Sequence, residues 1–159
     1  MVLILGSNLG VRTLNLELAR RFIQEHLGEI TGRSSICSSS SWGFEGKEFL
    51  NQVISIRSIL NAPSILKEIK DFERNSGRKE RAKSYADRTI DIDILYYGDQ
   101  VVEEEGLTVP HHAMQNRRFV LTPLVNLLPE YVHPILKKTS VELLELCPDK
   151  GTCEVWKDV

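Results

Sequence analysis

Two aspartates separated by one residue, Asp91 and Asp93, are the side chains of this sequence best spaced to do chemistry. They lie in Arg88-Thr89-Ile90-Asp91-Ile92-Asp93-Ile94-Leu95-Tyr96-Tyr97, where apolar and acidic residues alternate before the run turns wholly apolar. That is the period-2 pattern of a strand rich in Ile and Tyr. Residues i and i+2 of a strand share a face, so both carboxylates stand side by side while Ile90, Ile92 and Ile94 pack on the other face. Carboxylates held that close repel each other unless something positive sits between them. A hard divalent cation, Mg²⁺ above all, meets the need, because it takes oxygen ligands and shares them with substrate phosphates. Arg88 and the basic residues before it fit the same metal–phosphate chemistry. A solvent-facing edge strand with hydrated aspartates is the plain alternative.

The elements that must position this strand follow in chain order. Val2 to Leu5 is a buried first strand, ended by the turn Gly6-Ser7-Asn8-Leu9-Gly10. The turn matches neither G-x-x-x-x-G-K-[ST] nor G-x-G-x-x-G. From Val11 to Leu27 the residues Leu14, Leu18, Phe22 and Ile23 recur at helical spacing and predict a core-facing helix stopped by Gly28. Thr31 to Ser40 reads as one Ser-rich strand. Trp42-Gly43-Phe44-Glu45-Gly46-Lys47 reads as a loop whose aromatics cover either a flat ligand or the core. Glu48 to Ile59 alternates again, and with the preceding strand predicts an antiparallel pair. Asn61-Ala62-Pro63-Ser64 opens a second helix, with Ile65, Leu66, Ile69 and Phe72 as its buried stripe and an end near Gly77.

Gly77 to Arg88 carries Arg78, Lys79, Arg81, Lys83 and Arg88 against Glu80 and Asp87, with no apolar periodicity. It reads as a loop leading into the aspartate strand, and so as a lid for phosphates or a solvated basic face. Glu103-Glu104-Glu105-Gly106 is predicted to be an acidic turn. His111 and His112 are adjacent and would face different ways in regular structure, a poor metal pair; donation to a nucleotide and a satisfied surface histidine both stay open. Phe119 to Leu128 and Ser140 to Cys147 are predicted short helices, and Gly151 to Lys157 an edge strand.

The whole chain of 159 residues has the length of one domain, residues 1–159, with 42% hydrophobic and 26% charged residues. A net charge of −2 provides no basic field for nucleic acid. Cys37, Cys147 and Cys153 are odd in number and not at zinc spacing, so they read as reduced thiols in a cytoplasmic protein. The first residues read as a strand rather than a signal peptide, and no run approaches a membrane span.

With these residues in place, the chain resembles the 6-hydroxymethyl-7,8-dihydropterin pyrophosphokinases of folate synthesis nearly end to end. Three ordered blocks carry the resemblance: Phe49-Leu50-Asn51; Arg88 through Leu95; and Leu107-Thr108-Val109-Pro110-His111 with Asn116-Arg117-Arg118-Phe119. The resemblance implies a ferredoxin-like α+β sandwich, mainly antiparallel, with helices packed on the sheet. It implies transfer of pyrophosphate from ATP to the hydroxymethyl oxygen of the pterin, with release of AMP. Asp91 and Asp93 would hold two Mg²⁺ ions, with Arg78 and Arg88 engaging the phosphates. Phe49 and Phe119 would sandwich the pterin and Asn51 read its edge, completed by groups around Ser40, Ser41 and Trp42. Glu73, Tyr85, Ile94, Thr108, His111, His112 and Arg117 would line the nucleotide site. Lys70, Glu80, Tyr85 and Ala86-Asp87 depart from the pattern, which puts one adenosine contact, one phosphate contact and the loop hinge in question. A monomer acting on small molecules, without nucleic acid or membrane, is expected. The alternative is a non-catalytic ferredoxin-like module that binds pterin or RNA.

Overall fold

The computed structural model describes residues 1–77 and 86–157. Arg78, Glu80, Arg81 and Tyr85, and most of the predicted basic lid, lie outside the described residues.

Five strands and two helices build the central layer pair. β1 (Val2–Ser7), α1 (Arg12–Phe22), β2 (Glu29–Arg33), β3 (Cys37–Ser39), β4 (Phe49–Arg57), α2 (Ala62–Asn75) and β5 (Asp91–Tyr96) follow one another. With a last strand, β8 (Cys153–Val155), on the far edge, the sheet runs β5-β1-β4-β3-β8, and β2 also pairs with β4. Every pairing is antiparallel. With β2 and β3, which both pair with β4, counted as one interrupted strand, this is the strand–helix–strand–strand–helix–strand order of a ferredoxin-like α+β fold. β6 (Val102–Glu104) and β7 (Leu107–Val109) form a separate hairpin, while α3 (Arg118–Leu127) and α4 (Ser140–Leu146) follow it.

Alternation along β1 divides the core. Leu3 and Leu5 join Leu50, Ile54, Ile92 and Ile94 under α1 and α2. Val2 and Ile4 join Val53, Leu95, Tyr96, Leu121 and Leu124 under α3 and α4. Helices therefore cover both faces of the sheet, and the site opens on the α3 face. The wholly apolar end of β5 has a local cause. A bulge between Val2 and Leu3 shifts the β1–β5 register from Leu3–Ile94 to Val2–Tyr96, which turns both Leu95 and Tyr96 toward the α3 side. Asn61 caps α2 by accepting from the Ser64 N–H at 2.9 Å, with Pro63 in the first turn. Thr139 and Glu142 close a reciprocal capping box on α4.

Several expectations are corrected. Leu14 and Leu18 are 48% and 46% exposed, and the core face of α1 is Leu16, Ala19 and, where the helix widens into a π-turn over Ile23–Leu27, Ile23 and Leu27. The Ser-rich strand is two strands, broken at 34–36. There the Ser34 hydroxyl accepts from the Val53 N–H at 3.0 Å and its carbonyl accepts from Gln52 at 2.8 Å. β1 continues through Ser7, so the turn begins later than predicted. Glu103 and Glu104 belong to β6 rather than to a turn. No helix among the described residues is long and apolar enough to cross a membrane.

Candidate active site

The register of three central strands lays out the site. On the α3 face, Gly6 of β1 lies between Asp91 of β5 and Asn51 of β4, and Ile4 lies between Asp93 and Val53. Gly6 therefore contributes an open floor where any other residue would place a side chain. A Cβ there would come within 3.3 Å of Asn51 Oδ1 and 3.7 Å of a Phe49 ring carbon. Around this floor is a cleft of about 190 Å³ walled by Trp42, Phe44, Phe49 and Phe119, with Ser39, Ser40, Asn51, Arg88, Asp91, Asp93 and Arg117 among its other lining residues.

The aromatic wall is held from several directions. Phe44 meets Phe49 edge-on, with ring centres 6.3 Å apart. The Arg117 guanidinium lies 4.8 Å from the centre of the Trp42 ring and 6.0 Å from that of Phe119, in the range of cation–π attraction. Ser41 turns its hydroxyl into its own loop, donating to the Phe44 carbonyl at 2.7 Å and accepting from the Gly46 N–H at 3.0 Å. Asn51 is buried and donates to the Ser39 hydroxyl at 2.8 Å.

A second cleft, of about 330 Å³, adjoins the first and is lined by Ile94, Thr108, His111 and His112 with Leu66, Ile92 and Leu107. The two histidines stack in parallel, 4.9 Å apart, in the irregular turn after β7, contrary to the divergent directions expected of regular structure. Burial, Arg117 and His112 push the His111 pKa down to about 4, so its ring is neutral at pH 7. Nδ1 accepts from the Ala113 N–H at 3.3 Å, which leaves the proton on Nε2. Nε2 faces Asp93 Oδ2 at 4.0 Å.

Asp93 lines both clefts. Its side chain keeps 41% of its surface open, yet burial of the carboxyl, then Asp91 and Glu73, push its pKa up to about 7 against the pull of Arg117 and Arg88. Asp91 pairs with Arg88 at 2.8 Å, both about one-fifth exposed. Glu73, buried on α2, accepts from the Ile92 N–H at 2.8 Å and so fixes β5 between the two aspartates. Among the described residues no three His, Cys, Asp or Glu side chains gather into a ready-made metal cage.

Known proteins resemble this chain in sequence and in fold. The family model described as 7,8-dihydro-6-hydroxymethylpterin-pyrophosphokinase (HPPK) matches residues 2–129. The chain belongs to this family. A 2-amino-4-hydroxy-6-hydroxymethyldihydropteridine pyrophosphokinase of Aquifex aeolicus is 41% identical over 139 residues, 87% of this chain and 86% of that protein. One of Synechocystis is 34% identical over 142 residues, 89% and 72% of the two chains. The crystal structure of wild-type Plasmodium falciparum HPPK-DHPS shares the fold, with a TM-score of 0.74 at 18% identity, over 91% of this chain and 44% of that one.

Sequence reasoning assigned no task to Asn8, which is buried and ties together the loops around the aromatic cleft. Its Nδ2 donates to Asp87 Oδ1 at 2.7 Å and the Lys47 carbonyl at 3.2 Å, and its Oδ1 accepts from the Arg88 N–H at 2.6 Å. The Trp42 loop and the entry to β5 thus meet on one amide. Asn8 stands in a turn motif, but its partners are 39 and about 80 positions away, beyond any local pattern. The open floor makes its own prediction. Gly6→Val should raise KM for the ring substrate at least tenfold with little change in KM for the nucleotide, because its branches would occupy the space between Asn51 and Phe49. Steady-state kinetics in each substrate checks this, and an equal rise in both constants would mean that the floor is not where the ring sits.

Proposed function

We infer that the chain transfers the β,γ-pyrophosphoryl group of ATP to the hydroxymethyl oxygen of 6-hydroxymethyl-7,8-dihydropterin, releasing AMP in folate biosynthesis. The observation that carries this reading is the double membership of Asp93. One carboxylate faces both an aromatic cleft suited to a flat heterocycle and a histidine-lined cleft suited to a nucleotide. A reaction joining a group on the ring to a phosphate needs such a junction, since fixing two reactants in contact removes much of the entropic barrier.

In this reading Phe49 and Phe119 stack on the pterin. Asn51 reads its edge by paired donor and acceptor, with Ser40 and backbone groups near Ser41 and Trp42. Ile94, Thr108, His111 and His112 line the nucleotide cleft, Glu73 braces the strand, and Arg117 reaches from the aromatic wall toward the phosphates. Arg78 and Tyr85 are assigned to the nucleotide by resemblance. Asp91 and Asp93 would hold Mg²⁺, for which the carboxylate pair is suited: a dication would offset the burial and the repulsion from Asp91 and Glu73 that together keep Asp93 protonated up to about pH 7. Two carboxylates leave the remaining coordination to phosphates and water, the usual habit of this ion. When bound, Mg²⁺ would offset phosphate charge and favour the ionised hydroxyl. The protein itself positions both substrates, excludes water with its aromatic wall, and aims Arg88 and Arg117 at charge that develops as AMP departs.

The three free thiols favour a reducing, cytoplasmic compartment, and the net charge of −2 gives no field for nucleic acid, in keeping with a protein acting on small molecules. A non-catalytic pterin- or RNA-binding module would leave the carboxylate pair at the cleft junction without a task. AMP should appear from ATP only when the hydroxymethyl-dihydropterin and Mg²⁺ are both present. Phe49→Ala and Phe119→Ala should weaken pterin binding in calorimetry by about 0.5–1.5 kcal/mol beyond the loss of buried area, and leave binding of α,β-methylene-ATP unchanged. Pterin-independent AMP release, or equal losses for both ligands, would sink the reading.

A further inference from the structure

The beginning of α3 carries two residues of the aromatic cleft, Arg117 and Phe119, yet no neighbouring side chain caps it. The cap comes from 31 residues further along the chain, where Asp149 Oδ2 accepts from the Arg118 N–H at 2.9 Å. The Asp149 carbonyl also accepts from Arg118 Nε at 2.9 Å. The other carboxylate oxygen, Oδ1, accepts from the Gly151 N–H at 2.8 Å. Gly151 lies against the opposite wall of the cleft, where an added Cβ would stand 3.4 Å from the Ser40 hydroxyl. Asp149 lies outside residues 2–129, the span that the family model matches.

We propose that Asp149 is a positioning residue for pterin recognition: its carboxylate caps α3 from outside and sets the distance between Phe119 and Ser40. A carboxylate at a helix N-terminus satisfies an orphan N–H and complements the positive end of the helix dipole. Without it the first turn of α3 frays, and Phe119 loses its fixed direction, while Arg117 stays held against Trp42. The nucleotide cleft, built from β5, β7 and the histidine turn, has none of Phe119, Arg118 and Asp149 in its lining. This role rests on the pterin reading of the aromatic cleft given above.

Calorimetry with 6-hydroxymethylpterin and, separately, Mg²⁺–α,β-methylene-ATP tests it. Asp149→Ala should raise the pterin Kd about tenfold, equivalent to about 1.4 kcal/mol, with the nucleotide Kd within about twofold. Asp149→Asn, which keeps one acceptor for the Arg118 N–H but loses the second for Gly151, should restore part of the pterin affinity. Arg118→Pro probes the same bond from the donor side. Residue 118 is the first of the helix, where proline is tolerated, and Arg117 already has the extended backbone that a following proline requires. It should reproduce the loss on its own, so the role can be judged even if Asp149→Ala fails to fold. The double variant should lose little more than either single one. A wild-type protein that does not bind the pterin overturns both the ligand and this role. Wild-type binding with an unchanged Asp149→Ala, equal losses for both ligands, or no rescue by Asn overturns the role alone.

Discussion

Asp93→Asn should yield a protein that melts at a higher temperature than wild type at pH 8 without metal, and that is almost inactive. The Asp93 carboxyl has its pKa pushed up to about 7 by burial, by Asp91 and by Glu73, well above the ordinary aspartate value of about 3.9. The folded state therefore holds this proton more tightly than the unfolded chain. Its contribution to stability is complete below about pH 4 and is lost as pH rises through about 7. At pH 8 the ionised carboxylate is a liability that a neutral amide removes; at pH 4 the two proteins should melt alike. The side chain is 41% open to solvent, which softens the effect without changing its sign. Mg²⁺ should raise the melting temperature of wild type at pH 8 and leave that of D93N nearly unmoved. Turnover should fall at least 100-fold, a barrier increase of about 2.7 kcal/mol or more. Asp91→Asn should lose turnover similarly but with the opposite effect on stability. It breaks the 2.8 Å pair with the largely buried Arg88, and hydrogen bonds to charged groups contribute roughly 1.5–3 kcal/mol. Melting curves at pH 4 and pH 8, with and without Mg²⁺, separate the two. Activity within about tenfold of wild type, or a D93N that melts below wild type at pH 8, would remove Asp93 from the junction role.

The opposed signs arise from one strand that was readable in sequence. Period-2 alternation placed Asp91 and Asp93 on one face and Ile90, Ile92 and Ile94 on the other, and the core is divided that way. The α2 cap and the β3–β4 pair were legible for the same reason, each being set by residues close in sequence, whereas β8 was legible only as an edge strand, its partner β3 lying at the other end of the chain. Helix α1 was legible as a helix but not in its orientation. Of the residues expected on its core face, Phe22 and Ile23 pack on the core while Leu14 and Leu18 are exposed; Leu16 and Ala19 take their place, and periodicity alone does not say which stripe meets the sheet. Ile23 and Leu27, at the two ends of the π-turn, are both buried with Leu16 and Ala19. The stacking of the histidine pair and the β6–β7 hairpin were missed because irregular backbone and solvated glutamates carry weak local signals. Asn8 and Asp149 were missed because their partners are remote, and a hydrogen bond across 31 or 80 positions leaves no trace in spacing.

Arg88→Ala should lower kcat by about 100-fold while changing the Kd of Mg²⁺–α,β-methylene-ATP no more than about threefold. Arg88 is fixed before any substrate arrives. Its N–H donates to Asn8 Oδ1 at 2.6 Å, and its carbonyl accepts from the Asn8 and Leu9 N–H groups at 3.1 and 3.2 Å. Its guanidinium lines the aromatic cleft and pairs with Asp91 through Nη1. Among the described residues its buried Nε has no hydrogen-bond partner. A buried donor left unmatched is costly in the resting protein. Such a group is worth keeping where an acceptor arrives during the reaction, and the oxygen bridging AMP to the transferred group gains negative charge as that bond breaks. An interaction stronger in the transition state than with bound ATP appears in kcat rather than in affinity. Arg88→Lys should recover only part of the rate, because an ammonium keeps the charge but not the planar fork of donors. The Arg88/Asp91 double variant should lose less than the two single losses combined, since each single change strands the other member of the pair. If Arg88→Ala instead weakens the analogue by as much as it lowers kcat/KM, Arg88 holds ATP equally in ground and transition states, and the source of the rate must be sought in the carboxylate pair and Arg117.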